Sequence, residues 1–226
     1  MKNKYSIAAI VPMRHSSERV PGKNYRSFAG QPLFFHIIKS LLSCKSIDTV
    51  IIDTDSPIIM SLVKDNFPSV ILLERPDHLK SGSIPMNDVL LNILNQYPAD
   101  FYIQTHSTNP ILSKETIEKA IELFLSIFPI YDSLFTVTKK NVRFWDGLAR
   151  PINHNQNILL RTQDLPAIYE ENSCLYLFTK EILLRKHNRI GDRPYMFEIP
   201  EIEAQDIDVE INFLVAEFLF KHYYNI

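Results

Sequence analysis

Glycine is scarce in this sequence, with five among 226 residues, whereas average usage near 7% gives about sixteen. A dinucleotide-binding G-x-G-x-x-G motif needs three closely spaced glycines, and a Walker A loop needs two followed by Lys and Ser or Thr. Neither motif can be assembled from the glycines present, which are Gly22, Gly30, Gly82, Gly147 and Gly191. Any phosphate binding must therefore use side chains and ordinary backbone.

Cysteine is also scarce, and the sequence lacks long apolar runs and paired histidines. Cys44 and Cys174 are the two cysteines and show no C-x-x-C spacing, so the sequence signals neither a disulfide framework nor a zinc site and favours the reducing cytoplasm. No run approaches the roughly 18 apolar residues of a membrane-spanning helix. The seven histidines form no H-E-x-x-H motif, which argues against zinc chemistry.

The charge is small in total but uneven along the chain. A net charge of −2 argues against a dedicated nucleic-acid binder. Residues 1–30 carry six Lys or Arg against Glu18, whereas residues 198–217 carry seven Asp or Glu and no Lys or Arg. Two interpretations are open. The segments are separate solvated faces, or they hold a polyphosphate and its metal ions between them.

The apolar pattern alternates between short buried runs and helical periods, which predicts an α/β fold. We expect a Rossmann-like three-layer sandwich with a mostly parallel sheet, in a single domain over residues 1–226. The predicted strands are 5–12, 49–54, 70–73, 101–105, 133–138, 173–179 and 196–199. The predicted helices are 32–43, 57–66, 86–97, 113–128 with Ser113 as its cap, 180–187 and 210–223. Residues 139–172 lack helical period and predict an inserted arm of loops and short strands.

The closing helix has several apolar residues that could face the core. The spacing of five of them predicts an inward stripe, formed by Ile211, Leu214, Val215, Phe218 and Leu219.

A cationic loop directly follows the first predicted strand. It carries Arg14, Arg19, Lys23 and Arg26, with Ser16 and Ser17 as hydroxyl donors. Ligands of open α/β sheets bind beyond the carboxyl ends of the strands, and fixed cations with many donors are what a triphosphate needs. The alternative is a solvated loop whose cations pair with surface acids.

The acidic segment contains the D-x-D sequence Asp206-Ile207-Asp208. In extended chain the two carboxylates project to one side while Ile207 turns into the core. Such carboxylates repel unless a cation lies between them, and Mg²⁺ takes one or two carboxylates plus phosphate oxygens. The alternative is that one Asp caps the helix beginning near Glu210.

Several motifs occur in one order along the chain: IVPMR at 10–14, PGKN at 21–24, FAGQPL at 28–33, RP at 75–76, NP at 109–110, NSCLY at 172–176 and DID at 206–208. Together they resemble the acylneuraminate cytidylyltransferases, also called CMP-sialic acid synthetases, over nearly the whole chain. The resemblance implies a fold of the nucleotide-diphospho-sugar transferase type. It also implies transfer of CMP from CTP to the anomeric hydroxyl of a 3-deoxy-2-keto sugar acid, an N-acylneuraminate or related nonulosonic acid. Pyrophosphate would be released and Mg²⁺ required.

The resemblance also assigns roles to residues. Arg14, Lys23, Asp206 and Asp208 would be catalytic, with the two aspartates holding the metal. The nucleotide would be bound by Arg14, Ser17, Arg19, Lys23, Asn24, Arg75 and Asn87. The sugar would be bound by Gln104, Arg143, Gln163, Asn172 and Tyr176.

The arm at residues 140–170 would reach a second subunit in a homodimer, as the resemblance implies. Arg143, Arg161 and Gln163 would then pair with the carboxylate in the partner's sugar site. The alternative is that Arg161 to Asp164 merely tie the arm to its own domain.

One departure from the family pattern leaves other functions open. Many relatives have Lys where this chain has Glu18, and Arg19 follows as a possible substitute. The remaining alternatives are a metal-dependent glycosyltransferase that uses a nucleotide sugar, and a non-catalytic nucleotide-binding homologue.

Overall fold

The computed structural model describes residues 4–224, whose largest element is a seven-stranded sheet. The strands in chain order are β1 (Ile7–Met13), β2 (Ser27–Phe28), β3 (Gln31–Pro32), β4 (Thr49–Thr54), β5 (Ile71–Glu74), β6 (Phe101–Thr105), β7 (Ser133–Lys140), β8 (Ile168–Phe178) and β9 (Pro194–Glu198). The helices are α1 (Leu33–Ser43), α2 (Pro57–Asn66), α3 (Met86–Gln96), α4 (Lys114–Ile127), α5 (Lys180–Lys186) and α6 (Glu210–Tyr224). Short 3-10 turns lie at Lys23–Tyr25, Asp77–Leu79 and Thr162–Asp164.

The sheet order is β5-β4-β1-β6-β8-β7-β9, and β2 pairs with β3 separately. Within the large sheet only β8 runs against its neighbours, β6 and β7, while the other pairs are parallel. The prediction of a mostly parallel α/β sheet is therefore confirmed.

Strand β1 is buried along its whole length because helices cover both faces of the sheet. Its alternate residues enter two different cores, as the period of a strand requires. Ile7, Ala9 and Val11 pack with α1, α2 and α4. Ala8 and Ile10 pack with α3 and α5. The two cores account for the three-layer arrangement.

The predicted bounds agree with the structure except around the arm. Strand 49–54, helix 57–66 and strand 101–105 match to the residue, and the predicted cap Ser113 accepts from the backbone N–H of Thr116. Strand β8, however, begins at Ile168, and its first residues pair with the end of β7. The sequence does not predict this extension of β8, because Tyr169, Glu170 and Glu171 are all exposed and the segment lacks the alternation of apolar and polar residues that indicates a half-buried strand. The irregular arm spans residues 141–167.

The predicted inward stripe of α6 is wrong for four of its five residues. Ile211, Leu214, Val215 and Phe218 are exposed, and only Leu219 packs against a core. The buried face consists of Phe213, Ala216 and Phe220. Both faces of this helix are apolar, so periodicity alone could not choose between them. The aromatic ring of Phe28 decides, because it lies 5.5 Å from the Phe213 ring and 5.4 Å from the Phe220 ring.

No helix within residues 4–224 combines the length and the apolar character that crossing a membrane requires.

Replacing Phe213 by Ala should lower the free energy of unfolding by about 3–5 kcal/mol, because a buried ring is lost and a cavity remains. Phe218→Ala is the matched control on the same helix and should stay within about 0.5 kcal/mol of the parent protein. Equilibrium unfolding in urea measures both. A larger loss for Phe218→Ala would show that the other face of α6 packs inward.

Candidate active site

A polar cleft of about 330 Å³ opens beyond the carboxyl ends of β1 and β6. The loop after β1 lines it with Arg14, Ser17, Arg19 and Lys23, the residues predicted to hold phosphates. The loop after β6 contributes His106, Ser107 and Thr108 from the other side. The sequence therefore located this part of the cleft, and the structure brings its predicted residues together.

The cationic loop is fixed by backbone geometry and by one buried amide. Gly22 adopts a left-handed conformation with φ of 64° and starts the 3-10 turn that contains Lys23 and Asn24. The Asn24 side chain donates to the Arg14 carbonyl at 2.8 Å and accepts from the Ser107 hydroxyl at 2.7 Å. Asn24 lines the cleft as predicted, and its amide also ties the two loops of the cleft together.

The D-x-D segment lies against the same two loops. Ile207 is fully buried, as predicted, and its N–H donates to the Thr108 carbonyl at 3.1 Å. Lys23 donates its ammonium to the Ile207 carbonyl. Asp208 accepts from the Arg19 guanidinium at 2.8 Å. The cationic and acidic segments therefore meet at the cleft.

Neither Asp206 nor Asp208 caps helix α6 through its side chain in the contacts observed. The carboxyl of Asp206 receives a hydrogen bond from Thr108, and that of Asp208 receives one from Arg19. The side chain of Asn212 instead accepts from the N–H groups of Asp208 and Val209 and so closes the start of α6. Thr108 and Arg19 both line the cleft, whereas the two aspartates themselves lie at its border and outside its lining.

The cleft perturbs the titration of its own groups. Burial lowers the pKa of Lys23, while the charges of Asp206 and Asp208 oppose that shift. Burial raises the pKa of Asp206, which the Thr108 hydrogen bond opposes and the Asp208 charge reinforces. Burial, together with the charges of Arg189 and Lys23, lowers the pKa of His106 to about 4. His106 is therefore neutral near pH 7. The positive charge of the cleft comes from the side chains of Arg14, Arg19 and Lys23.

The donor set of Asp206 and Asp208 suits a hard divalent cation. Within the described part of the chain, no group of three or more His, Cys, Asp or Glu is arranged to hold a metal. Mg²⁺ commonly binds through one or two carboxylates, with phosphate oxygens and waters completing its shell. The two carboxylates therefore fit Mg²⁺ that arrives with a phosphate ligand, rather than a closed protein cage.

Other residues of the charged segments have structural partners instead. Arg26 forms two 2.7 Å hydrogen bonds with Glu210 at the surface. Glu203 is buried at the start of α4, where it accepts from Ser113 and Thr116. The alternative of cations paired with surface acids thus describes Arg26 and also Arg19, which pairs with the half-exposed Asp208, whereas Lys23 bonds a backbone carbonyl.

Two predicted nucleotide residues lie outside the lining of the cleft. Arg75 is buried in an ion pair, with its Nε 2.5 Å from Asp53 Oδ1. Asn87 donates to the His187 carbonyl at 2.6 Å. Their role in binding the nucleotide stays a prediction.

The sugar residues predicted from the resemblance fall into separate places. Gln104 and Tyr176 are cross-strand partners in β6 and β8, and Gln104 lies 2.9 Å from the His106 ring of the cleft. Asn172 is buried between strands, where it bonds Thr136 and Thr138. Gln104 and Tyr176 thus lie beside the cleft, whereas Asn172 braces the sheet.

The arm holds the remaining predicted sugar residues away from the cleft of their own chain. Arg143 donates to the Leu160 carbonyl, and Arg161 pairs with Asp164 within the arm. Gln163 is exposed. Contact of Arg143 and Gln163 with a sugar stays a prediction.

Arg189 and Thr108 are site residues that the sequence reasoning missed. The Arg189 guanidinium lies 3.8 Å from the centre of the Tyr176 ring and donates to the Gln104 side-chain oxygen. Neither residue belongs to a motif that could have identified it, since Arg189 is placed by its contacts with β6 and β8, and Thr108 by its contacts with Asp206 and Ile207.

Comparison with known proteins places this geometry in context. A family model described as Cytidylyltransferase matches residues 8–206. The chain is 26% identical to the CMP-N,N'-diacetyllegionaminic acid synthase of Legionella pneumophila, over 95% of this chain and 96% of that protein. It is 24% identical to the N-acylneuraminate cytidylyltransferase of Streptococcus agalactiae, over 95% of this chain and 53% of that protein. The chain thus spans about half the length of the streptococcal relative.

Among solved structures, a CMP:2-keto-3-deoxy-manno-octonic acid synthetase complexed with CTP is similar with a TM-score of 0.73. The sequence identity is 15%, and the similarity covers 96% of this chain and 99% of that one. This likeness confirms the predicted fold class.

Proposed function

Because the chain belongs to the cytidylyltransferase family, we propose that it transfers the cytidylyl group of CTP to the anomeric hydroxyl of a 3-deoxy-2-keto sugar acid. The hydroxyl oxygen bonds to the α-phosphorus of CTP, and the bond from that phosphorus to the bridging oxygen breaks. Pyrophosphate leaves, and the hydroxyl proton passes to solvent. The products are the CMP-sugar and pyrophosphate.

The observation that carries this proposal is that Arg14, Arg19 and Lys23 line one cleft, and that the D-x-D segment contacts two of them, through Asp208 to Arg19 and through the Ile207 carbonyl to Lys23. Nucleotidyl transfer depends mainly on positioning and on neutralising phosphate charge, so it needs no covalent nucleophile. The three cations and the Ser17 hydroxyl can bind the triphosphate by charge-assisted hydrogen bonds. Asn24, Arg75 and Asn87 remain our candidates for contact with the nucleoside.

We further propose that Asp206 and Asp208 hold Mg²⁺. Bound there, the ion would neutralise phosphate oxygens and orient the attacking hydroxyl. Arg19 donates to Asp208 in the structure. If that carboxylate held a cation, the guanidinium of Arg19 would be available to bind phosphate. This exchange gives Arg19 the role that Lys has in relatives with Lys at the position of Glu18.

For the acceptor, we propose a nonulosonic acid or a related keto-deoxy acid. The support is the position of Gln104 and Tyr176, which are joined to the phosphate cleft through His106. The acids named for the relatives, N-acylneuraminic and legionaminic, share a carboxylate next to the anomeric carbon.

We also propose that the protein is cytoplasmic. A reaction that consumes CTP, together with two unpaired buried cysteines, is consistent with that location.

We propose that the protein is a homodimer joined through its arm. Apolar side chains of the arm point to solvent, including Leu148 at 75% and Leu159 at 92% exposure. A surface of this kind is typical of an interface. In such a dimer, Arg143 and Gln163 approach the sugar site of the partner.

The activity is tested with purified protein, CTP, Mg²⁺ and three acids supplied separately: N-acetylneuraminic, N,N'-diacetyllegionaminic and 2-keto-3-deoxy-manno-octonic acid. We expect pyrophosphate release with at least one acid and an equal amount of its CMP-sugar by mass spectrometry. If CTP raises the melting temperature but no acid releases pyrophosphate, the protein is a non-catalytic homologue. Stabilisation by nucleotide sugars instead of CTP would favour a glycosyltransferase.

Asp208→Asn should lower kcat by at least about a hundredfold, because the amide loses the charge that a metal ligand supplies. Raising the Mg²⁺ concentration should restore part of the activity. Glu210→Gln is the matched control, since it removes an exposed carboxylate that pairs with Arg26 outside the cleft. Near-full activity of Asp208→Asn at low Mg²⁺ would place the metal elsewhere.

Leu159→Arg should weaken the dimer by at least about tenfold, since burial of an exposed Leu at an interface contributes more than 1 kcal/mol. Sedimentation equilibrium of the parent protein and the variant measures the change. Leu184→Arg, on α5 and 59% exposed, is the control and should leave the dimer intact. A monomeric parent protein, or a Leu159→Arg variant that dimerises as tightly, contradicts the proposed interface.

A further inference from the structure

Arg189 presents a guanidinium beside the proposed acceptor site. It lies between α5 and β9, with its guanidinium carbon 3.8 Å from the centre of the Tyr176 ring. One of its terminal nitrogens donates to the side-chain oxygen of Gln104. Gln104 and Tyr176 are almost fully buried, while Arg189 keeps part of its surface open. A ligand that approaches Gln104 and Tyr176 therefore meets the guanidinium first.

The loop that carries Arg189 is anchored to the start of β7. The Asp132 carboxylate accepts from the N–H groups of Asp192 and Arg193, both at 3.0 Å, and Ser133 accepts from Gly191 at 2.8 Å. Gly191 permits this approach, because a Cβ there would lie 2.2 Å from Asp132 Oδ1. The backbone near Arg189 is thus fixed by its anchored loop, and the guanidinium is fixed by its contacts with Tyr176 and Gln104.

Arg189 has no carboxylate partner among residues 4–224. Its polar contact is the neutral Gln104 oxygen, and its Nε is buried without a hydrogen-bond acceptor. Glu171 is the nearby acid, but its carboxylate accepts the Tyr176 hydroxyl instead. Burial of a guanidinium without an ion pair is costly. Such an arrangement is expected where a ligand supplies the anion.

Two kinds of anion take part in the proposed reaction, namely the phosphates of CTP and the carboxylate of the sugar acid. The phosphate cleft already contains Arg14, Arg19 and Lys23, and Arg189 is not part of its lining. Gln104 and His106 lie between Arg189 and that cleft. The position of Arg189, and the match of a planar guanidinium to a carboxylate, both favour the acid.

We infer that Arg189 binds the carboxylate of the acceptor sugar acid and selects keto acids over uncharged sugars. The inference rests on the proposed cytidylyl transfer and assigns a residue to its acceptor site. The terminal N–H groups that do not bond Gln104 are the donors to the carboxylate oxygens. Tyr176 supports the guanidinium from behind, and Gln104 fixes its orientation. With its carboxylate held there, the acid can direct its neighbouring anomeric hydroxyl toward the phosphate cleft across His106.

The test compares each active acid of the panel with its primary carboxamide, which keeps the size of the group and removes its charge. We expect the parent protein to favour the acid by about a hundredfold in kcat/KM, as the loss of charge-assisted hydrogen bonds implies. Arg189→Gln should lose at least about thirtyfold on the acid and little on the amide, so that the preference nearly disappears. The KM for CTP should stay unchanged.

Two further variants guard against a purely structural effect. Arg193→Gln removes an exposed cation from the same loop and should keep the full preference for the acid. Arg189→Lys keeps the charge without the planar fork and should retain an intermediate preference. If the melting curve shows that Arg189→Gln does not fold, the test uses Arg189→Lys and the same ratio of kcat/KM for the acid to kcat/KM for the carboxamide. An unchanged ratio in the folded variant overturns the inference.

Other outcomes separate this inference from the proposed function. Loss of CTP or pyrophosphate binding in Arg189→Gln, measured by calorimetry, would assign the guanidinium to the phosphates and overturn the inference. Absence of pyrophosphate release by the parent protein with every acid would contradict the proposed function, and the inference would fall with it. Pyrophosphate release by the parent protein with an unaltered ratio in Arg189→Gln contradicts the inference alone.

Discussion

The backbone of Ile207 is the point on which the cleft depends. Its N–H donates to Thr108 in the loop after β6, and its carbonyl accepts from Lys23 in the loop after β1. The side chain of Ile207 is buried with Phe28 and Phe213, so apolar packing fixes the depth of the segment. A single residue thus joins three distant parts of the chain and places the flanking Asp208 against Arg19 and Asp206 against Thr108.

This arrangement explains how a chain with few glycines can form the phosphate site that we propose. Glycine-rich loops bind phosphate through exposed N–H groups, whereas this cleft presents the side chains of Arg14, Arg19 and Lys23. Side chains must be held to be effective, because ordering them costs conformational entropy. Asn24 supplies part of that order by bonding both loops of the cleft. The buried Asn24 amide therefore stabilises the two loops that carry the charged side chains of the cleft.

The sheet places further polar side chains beside the cleft that we propose for phosphate. The antiparallel pairing of β6 with β8 sets Gln104 opposite Tyr176, and Arg189 lies on both. His106 follows Gln104 by two residues. At this end of β6, His106 lines the cleft while Gln104 accepts from the Arg189 guanidinium. Transfer between two bound substrates needs their reacting atoms close and oriented. In the proposed reaction, the antiparallel strand β8 would supply Tyr176 to the acceptor side of that geometry.

The order along the chain of the helices and of the seven strands of the large sheet, the cationic loop and the D-x-D pair were all predicted from the sequence, because buried periodicity and local charge are properties of neighbouring residues. The sequence did not predict the short strands β2 and β3. It could not choose the inward face of α6, whose two sides are both apolar, so packing against Phe28 decided for Phe213. It also gave no sign of Arg189, whose position depends on the anchoring of its loop by Asp132. Contacts between residues far apart in the chain exist only after folding, and they decided which charges are buried, which are paired and which remain for a ligand.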